Sequence, residues 1–223
     1  MNVLALDSAT SSTAVALALA DGRLREARDD VAPGERPQHA QQLLALAAQL
    51  LDAAEIGWSQ IGRVAVGVGP GGYTGLRIGL ATAHGIVLAH GAQLVGVGTL
   101  CALAEPLGER TAVSVLDARR GEAFIAVYHD GDELLAPRVC RPPELGALAR
   151  LGGPDALAGG DGALRFREFL EGAGISVAPA ESQLHRVSAG AICRLAASGR
   201  VTAAVPNYLR LADAELALSG KTR

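Results

Sequence analysis

The apolar positions of this chain fall first in short strand-like runs and then in helical stripes. Asn2 to Leu6 is an apolar run, Thr13 to Ala20 alternates around Val15, Leu17 and Leu19, and Arg23 to Val31 is a third, more polar stretch, so three strands are predicted. Asp21-Gly22 supplies the hairpin turn between the second and third. From Gln38 to Ala54 the apolar residues stand at Ala40, Leu43, Leu44, Ala47, Leu50, Leu51 and Ala54, the three-and-four spacing of one helical face. Arg63 to Val68 reads as a buried strand, and a glycine-rich run to Gly75 leads into a second helix that stops at His90-Gly91. The first half thus predicts βββαβα, followed by Gln93 to Val97 and a short helix from Thr99.

The same order then begins again. Glu105 to Arg110, with Pro106 and Gly108, reads as a boundary. Thr111 to Leu116, Glu122 to Tyr128 and Glu133 to Val139 predict strands, with Asp130-Gly131 turning the chain between the last two. A proline-led helix at Pro143, a short strand at Ala156 to Ala158 entering Gly159-Gly160-Asp161-Gly162, a helix through Leu170 and another at Ser188 to Ser198 complete the second half. Two βββαβα halves predict an α/β fold in two lobes, each a mixed sheet covered by helices. The element order resembles the duplicated fold of the actin, hexokinase and Hsp70 superfamily. The first lobe is expected over residues 1–107, completed by 201–218, and the second, smaller lobe over 108–200. Ser219 to Arg223 is expected to form a disordered tail.

Composition narrows the possible functions. Apolar residues make up 49% of the 223, enough for a large core without disulfides or metals, while the 3% aromatic content and 28 glycines point to close packing of backbones. A net charge of −3, with both signs interspersed, gives no field to hold a polyanion, so independent RNA binding is not expected. Cys101, Cys140 and Cys193 are widely spaced and form no C-x-x-C, which suggests neither a disulfide framework nor a zinc site and fits a reducing cytosol. An acid at Asp7 interrupts any signal-peptide core, and no segment offers about 18 uninterrupted apolar residues, so a cytoplasmic protein without a membrane span is expected.

Two segments carry candidate chemistry. The first is the turn from Asp7 through Ser8, Ala9, Thr10, Ser11 and Ser12 to Thr13, between the first two strands. In actin-like ATPases this turn brings an aspartate to magnesium and backbone amides to phosphate. Here Ala9 stands where glycine is usual, and its Cβ would hinder backbone approach to a phosphate. The turn reads either as a weakened phosphate site or as Asp7 and Ser8 bonding their own backbone. The second segment runs from Gly67 to Gly79 and includes Gly69, Gly71, Gly72 and Thr74, a strand-loop-helix able to present amides to an anion. It matches neither the P-loop nor the dinucleotide pattern, and its plain reading is a tight turn with close helix packing.

The same loop carries a resemblance. GPGGYTGLRIG, at Gly69 to Gly79, is similar to the GPGSFTGLRIG signature of the TsaB (YeaZ) family, with Gly72 and Tyr73 in place of serine and phenylalanine. LALDSAT at the start, QHAQQLL around His39, GVGTL at Gly96 to Leu100, DARRGEAF at Asp117 to Phe124 and PNYLR at Pro206 to Arg210 agree in order and spacing. The resemblance implies a non-catalytic relative of TsaD that partners it in threonylcarbamoyl transfer to N6 of adenosine 37 in tRNAs reading ANN codons. It further implies TsaE as an ATPase partner, TsaC as source of the intermediate, homodimerisation when alone, tRNA contact only through the complex, and a possible ATP or ADP at the complex interface but no cofactor of its own.

The catalytic relatives carry two histidines one helical turn apart for a metal, whereas here His39 is followed by Leu43, so no metal and no catalytic residue are expected. His39 reads as a partly exposed histidine at a helix start. No H-E-x-x-H or G-x-S-x-G supports a peptidase. The partner interface is expected on the two helices, at His39, Leu43, Leu46 and Leu50 of the first and Leu76, Gly79, Leu80, Ala83 and Val87 of the second. A helix apolar beyond one stripe has two neighbours, and interior glycine needs a packing reason. The competing expectation is an actin-like small-molecule kinase or ATPase built on the Asp7 turn and the glycine loops. The turn from Asp117 to Glu122, opening the second half as Asp7 opens the first, reads as a salt-bridged hairpin.

Overall fold

A computed structural model describes residues 1–32 and 35–209. The first half contains β1 (Asn2–Asp7), β2 (Ser12–Ala18), β3 (Leu24–Asp30), α1 (His39–Ala53), β4 (Ile61–Gly67), α2 (Tyr73–His90), β5 (Gln93–Val97) and α3 (Thr99–Ala104). The second contains β6 (Ala112–Arg119), β7 (Glu122–His129), β8 (Asp132–Cys140), α4 (Pro142–Ala149), β9 (Leu157–Gly159), α5 (Asp161–Arg165), α6 (Arg167–Glu171), β10 (Ser176–Val177) and α7 (Ala189–Ala197). The strands form two five-stranded sheets, β3-β2-β1-β4-β5 and β8-β7-β6-β9-β10, with the same order. In each, the first three strands are antiparallel and the last two run parallel to the first, so both are mixed sheets. The order and directions match those expected of the duplicated actin-like fold.

The central strands are apolar because both of their faces are covered. In β1, Leu4 and Leu6 point into a core with Leu43 and Leu51 of α1 and Leu80 and Ala83 of α2. Val3 and Ala5 point the other way, into a core with Leu100 of α3 and Ile192 and Leu195 of α7. A third core covers the far face of the second sheet, where Val115 and Ile125 meet Leu145 of α4 and Leu170 of α6. Small residues on β1 and β2, such as Ala5, Ala14 and Ala16, let α7 lie close to the first sheet.

The middle core reveals an exchange. α3, which ends the first half, packs on β6 and β7, whereas α7, late in the second half, packs on β1 and β2. Glu26 of β3 holds α7 in place, its carboxylate accepting from Ser188 Oγ, Ala189 N and Gly190 N at 2.8, 2.9 and 3.1 Å. That arrangement satisfies the start of the helix with a negative charge. The chain then returns to the first sheet, where Thr202 bridges Gly96 and Asn207 N donates to Val68 O at 2.7 Å. The expected completion of the lobe beyond residue 209 and the tail from Ser219 lie outside the described residues. Among those described, no helix is long and apolar enough to cross a membrane.

Candidate functional site

A cleft of about 910 Å³ opens between the two sheets at the carboxyl ends of β1 and β6. Its walls come from the turn after β1, the loop from β4 into α2, the turn after β6, the start of α5 and the segment at Asn207 to Leu209. The position follows from topology, since β1 and its parallel neighbour β4, like β6 and β9, have their carboxyl ends on this side.

The first turn is closed by its own chain. Ser8 Oγ donates to Gly75 O at 2.9 Å, Gly72 N donates to Ala9 O at 2.7 Å, and Ser12 N donates to Thr10 Oγ1 at 3.3 Å. The turn presses against the start of α2 so closely that a Cβ on Gly75 would lie 1.9 Å from Ser8 O. Asp7 sits beneath, 1% exposed; its Oδ1 accepts from Ala9 N at 3.2 Å, and its Oδ2 has no hydrogen-bond partner among the described residues. Burial pushes this carboxyl up to about 7, against the smaller opposing effects of the Ala9 amide and the Arg28 charge.

Of the expected phosphate contacts, Ser8, Thr10, Gly71, Gly72 and Thr74 line the cleft, whereas Asp7 and Gly69 stand behind it. Gly69 is bound to Thr99 through both its amide, 3.1 Å from Oγ1, and its carbonyl, 2.9 Å from the Thr99 amide. Among the described residues no group of three or more His, Cys, Asp or Glu is gathered closely enough to hold a metal ion.

His39 differs from expectation. It is buried, 7% exposed, and its Nδ1 lies 2.8 Å from Thr13 Oγ1, a partner not singled out from the sequence. Burial lowers its pKa below the usual 6.5, with a backbone hydrogen bond at Thr10 and the charge of Asp29 opposing. The expected interface residues also need correction. Leu43, Leu50, Leu76, Gly79, Leu80 and Ala83 are buried within the chain, and Leu46 and Val87 are half-buried. Gly79 is small because Ser8 Oγ would lie 2.6 Å from a Cβ there, and the breadth of apolar surface on α1 is accounted for by contact with both β2 and α2. The exposed positions of these helices include the apolar or small residues Ala40 and Leu44 of α1 and Ala81, Gly85 and Leu88 of α2, among polar ones such as Gln41, Gln49 and His84.

The second turn is built differently. Asp117 N donates to Asp161 Oδ1 at 3.0 Å, and Asp117 Oδ2 meets Arg165 Nη1 at 2.7 Å, with Arg119 Nη1 at 3.5 Å. Burial raises the pKa of Asp161. Arg119 and Arg120 hold φ of 65° and 52°, a left-handed pair that carries two long cations to the cleft wall. The salt-bridged hairpin is present, with Arg165 from α5 as its nearest cation.

At the mouth, the Tyr73 and Tyr208 rings pack with centroids 4.8 Å apart and planes 30° apart. The Arg77 guanidinium lies 4.0 Å over the Tyr73 ring, and its Nε donates to Tyr208 Oη at 3.2 Å. No local pattern links residues so far apart in sequence; the only signal was that both fall in the quoted GPGGYTGLRIG and PNYLR segments.

A family model described as "TsaD: tRNA N6-adenosine threonylcarbamoyltransferase" matches residues 35–208. The tRNA threonylcarbamoyladenosine biosynthesis protein TsaB of Escherichia coli is 34% identical over 132 residues, covering 57% of this chain and 55% of that protein. Its namesake in Haemophilus influenzae is 24% identical over 187 residues, covering 77% and 76%. The chain thus spans about half the length of the first relative and three quarters of the second. The solved structure of YeaZ from Pseudomonas aeruginosa superimposes with a TM-score of 0.74 at 26% identity, covering 93% of this chain and 100% of that one.

Proposed function

The chain belongs to the TsaB/YeaZ family, and on that premise we propose that it is an auxiliary, non-catalytic subunit in the cytosolic biosynthesis of threonylcarbamoyladenosine in tRNA. The observation that carries this reading is the closed first turn. An ATPase of this architecture needs an ionised aspartate at the metal and free amides at the phosphate. In this chain the Ala9 carbonyl takes the Gly72 amide, the Ala9 amide is spent on Asp7, and Asp7 is buried with its pKa raised to about 7.

The working partner in this reading is a TsaD-type transferase, which the chain holds in its active shape while TsaE supplies ATPase activity and TsaC the activated intermediate. The exposed face of α1 and α2 supports such a contact. Leu88 is 86% and Leu44 48% exposed, and Gly85 has open space where a Cβ would stand. A glycine inside a helix costs about 1 kcal/mol relative to alanine, and a closely packed partner helix gives it a reason. In the absence of the transferase the same face pairs two copies of this chain. Any nucleotide of the complex sits between the partners, and tRNA is engaged only by the assembly.

Phosphate release by the isolated protein with magnesium and ATP tests the non-catalytic part. Turnover at background, unchanged in Asp7→Ala, is expected. Turnover that disappears in Asp7→Ala would make the chain an ATPase.

A further inference from the structure

We propose that the mouth of the interlobe cleft is a contact for unpaired RNA, with the Tyr73–Tyr208 pair as its stacking platform and Arg119 and Arg120 as its phosphate contacts. The inference rests on the tRNA-modification reading and assigns the residues that meet the substrate there.

Unpaired RNA is recognised by flat rings that stack on bases and by cations that follow the backbone, and both are set here around one opening. Tyr208 remains 39% exposed even though it packs on Tyr73, and Arg77, lying over the Tyr73 ring, donates to its hydroxyl. The platform is fixed before any ligand arrives. Tyr73 begins α2, and the segment bearing Tyr208 is tied down by the Asn207 amide on Val68 and the Thr202 bridge to Gly96.

The cations line the same cleft from the second sheet. Asp117 is already paired with Arg165 at 2.7 Å, so the 3.5 Å approach of Arg119 adds little, and the Arg119 side chain stays 72% exposed. Non-glycine residues seldom adopt two left-handed conformations in succession, and here the pair directs both arginines to the cleft that Arg36 also lines. An acidic peptide would answer the cations but leave the rings without a matching face, which favours RNA. The overall charge of −3 keeps this patch weak in isolation, so it acts once the chain is assembled with its transferase.

The test is a fluorescence-anisotropy titration of an unmodified tRNA anticodon stem-loop against the chain assembled with TsaD, repeated over a salt series, with assembly followed by gel filtration. In Arg119→Asn/Arg120→Asn, asparagine tolerates the left-handed turn, so the fold is retained. This variant is expected to bind about 10-fold more weakly at low salt and to lose roughly one to two units of the salt slope. Tyr208→Ala is expected to lose about 5- to 10-fold with its salt slope unchanged, and Tyr208→Phe to bind like the wild type. Equal affinity and slope in all variants would overturn the proposal. So would loss of assembly with unchanged RNA affinity per complex, which would assign the cleft mouth to a protein partner. Should the wild-type chain not assemble with TsaD, the auxiliary reading fails by itself. The same titration of the isolated chain at low salt, where screening of the weak patch is least, then decides the RNA contact: wild type binding no tighter than the variants overturns it.

Discussion

The turns after β1 and β6 occupy the same place in the two halves, each beginning with an aspartate at the end of a central strand, and they have opposite characters. The first is sealed: Asp7 is 1% exposed, and the serine and alanine that follow bond to the start of α2. The second stands open, with Asp117 shared between Arg165 and Arg119 and two arginines directed at the cleft. Duplication preserved strand order while local packing divided the labour. One turn became part of the core and the other a surface able to meet a charged partner.

The comparison breaks most visibly at the glycines. Gly75→Ala would force a Cβ to 1.9 Å from the Ser8 carbonyl, with buried backbone on both sides. Overpacking of this kind costs roughly 3 kcal/mol, and a fall of roughly 6–12 °C in melting temperature is expected by calorimetry. Gly121→Ala, at φ 78° with open space around it, is expected to cost only about 1–2 kcal/mol of backbone strain. Equal losses would mean that the first turn is not packed as described.

A smaller effect separates the two aspartates. With its pKa raised from 3.8 to about 7, Asp7 holds its proton more tightly in the folded state, so its contribution to stability is intact below about pH 4 and falls as pH rises to about 7. Removing the charge in Asp7→Asn recovers up to about 4 kcal/mol, less about 2 for an amide without acceptors. The variant should therefore be roughly 2 kcal/mol more stable than wild type at pH 8 and no more stable at pH 4, as read by urea denaturation at the two pH values. At the open turn, Arg165→Ala is expected to cost under about 1 kcal/mol, the range of an exposed ion pair, and to lose that difference in high salt.

Much of the fold was legible because its signals are local. The run Asn2 to Leu6, the Asp21-Gly22 and Asp130-Gly131 turns and the stripe from Leu43 to Leu51 each specify an element by spacing alone. Whatever depends on which neighbour covers a face was not. Periodicity shows that α1 is apolar beyond one stripe, but not that β2 and α2 account for both sides, so it cannot distinguish a partner-facing Leu43, Leu50 or Leu80 from one that the chain buries itself. The exchange of α3 and α7 between sheets leaves no mark in either helix, and β10, Ser176–Val177, is too short to show alternation. At the site, the Asp7 turn and the glycine loop are each readable as a local segment, whereas their contact through Ser8 and Gly75 and the Thr13–His39 and Tyr73–Tyr208 pairs join distant segments and exist only in the folded chain.

The account turns on an auxiliary chain whose first turn is structural, and one reconstitution tests it directly. TsaC, TsaD, TsaE, threonine, bicarbonate, ATP and tRNA are combined without this protein, with it, or with its Asp7→Asn variant, and threonylcarbamoyladenosine is scored by mass spectrometry. The account predicts that the modification depends on the protein and that the variant supports it as well as the wild type does. Modification that proceeds equally without the protein, or that fails with a folded Asp7→Asn variant, would contradict it.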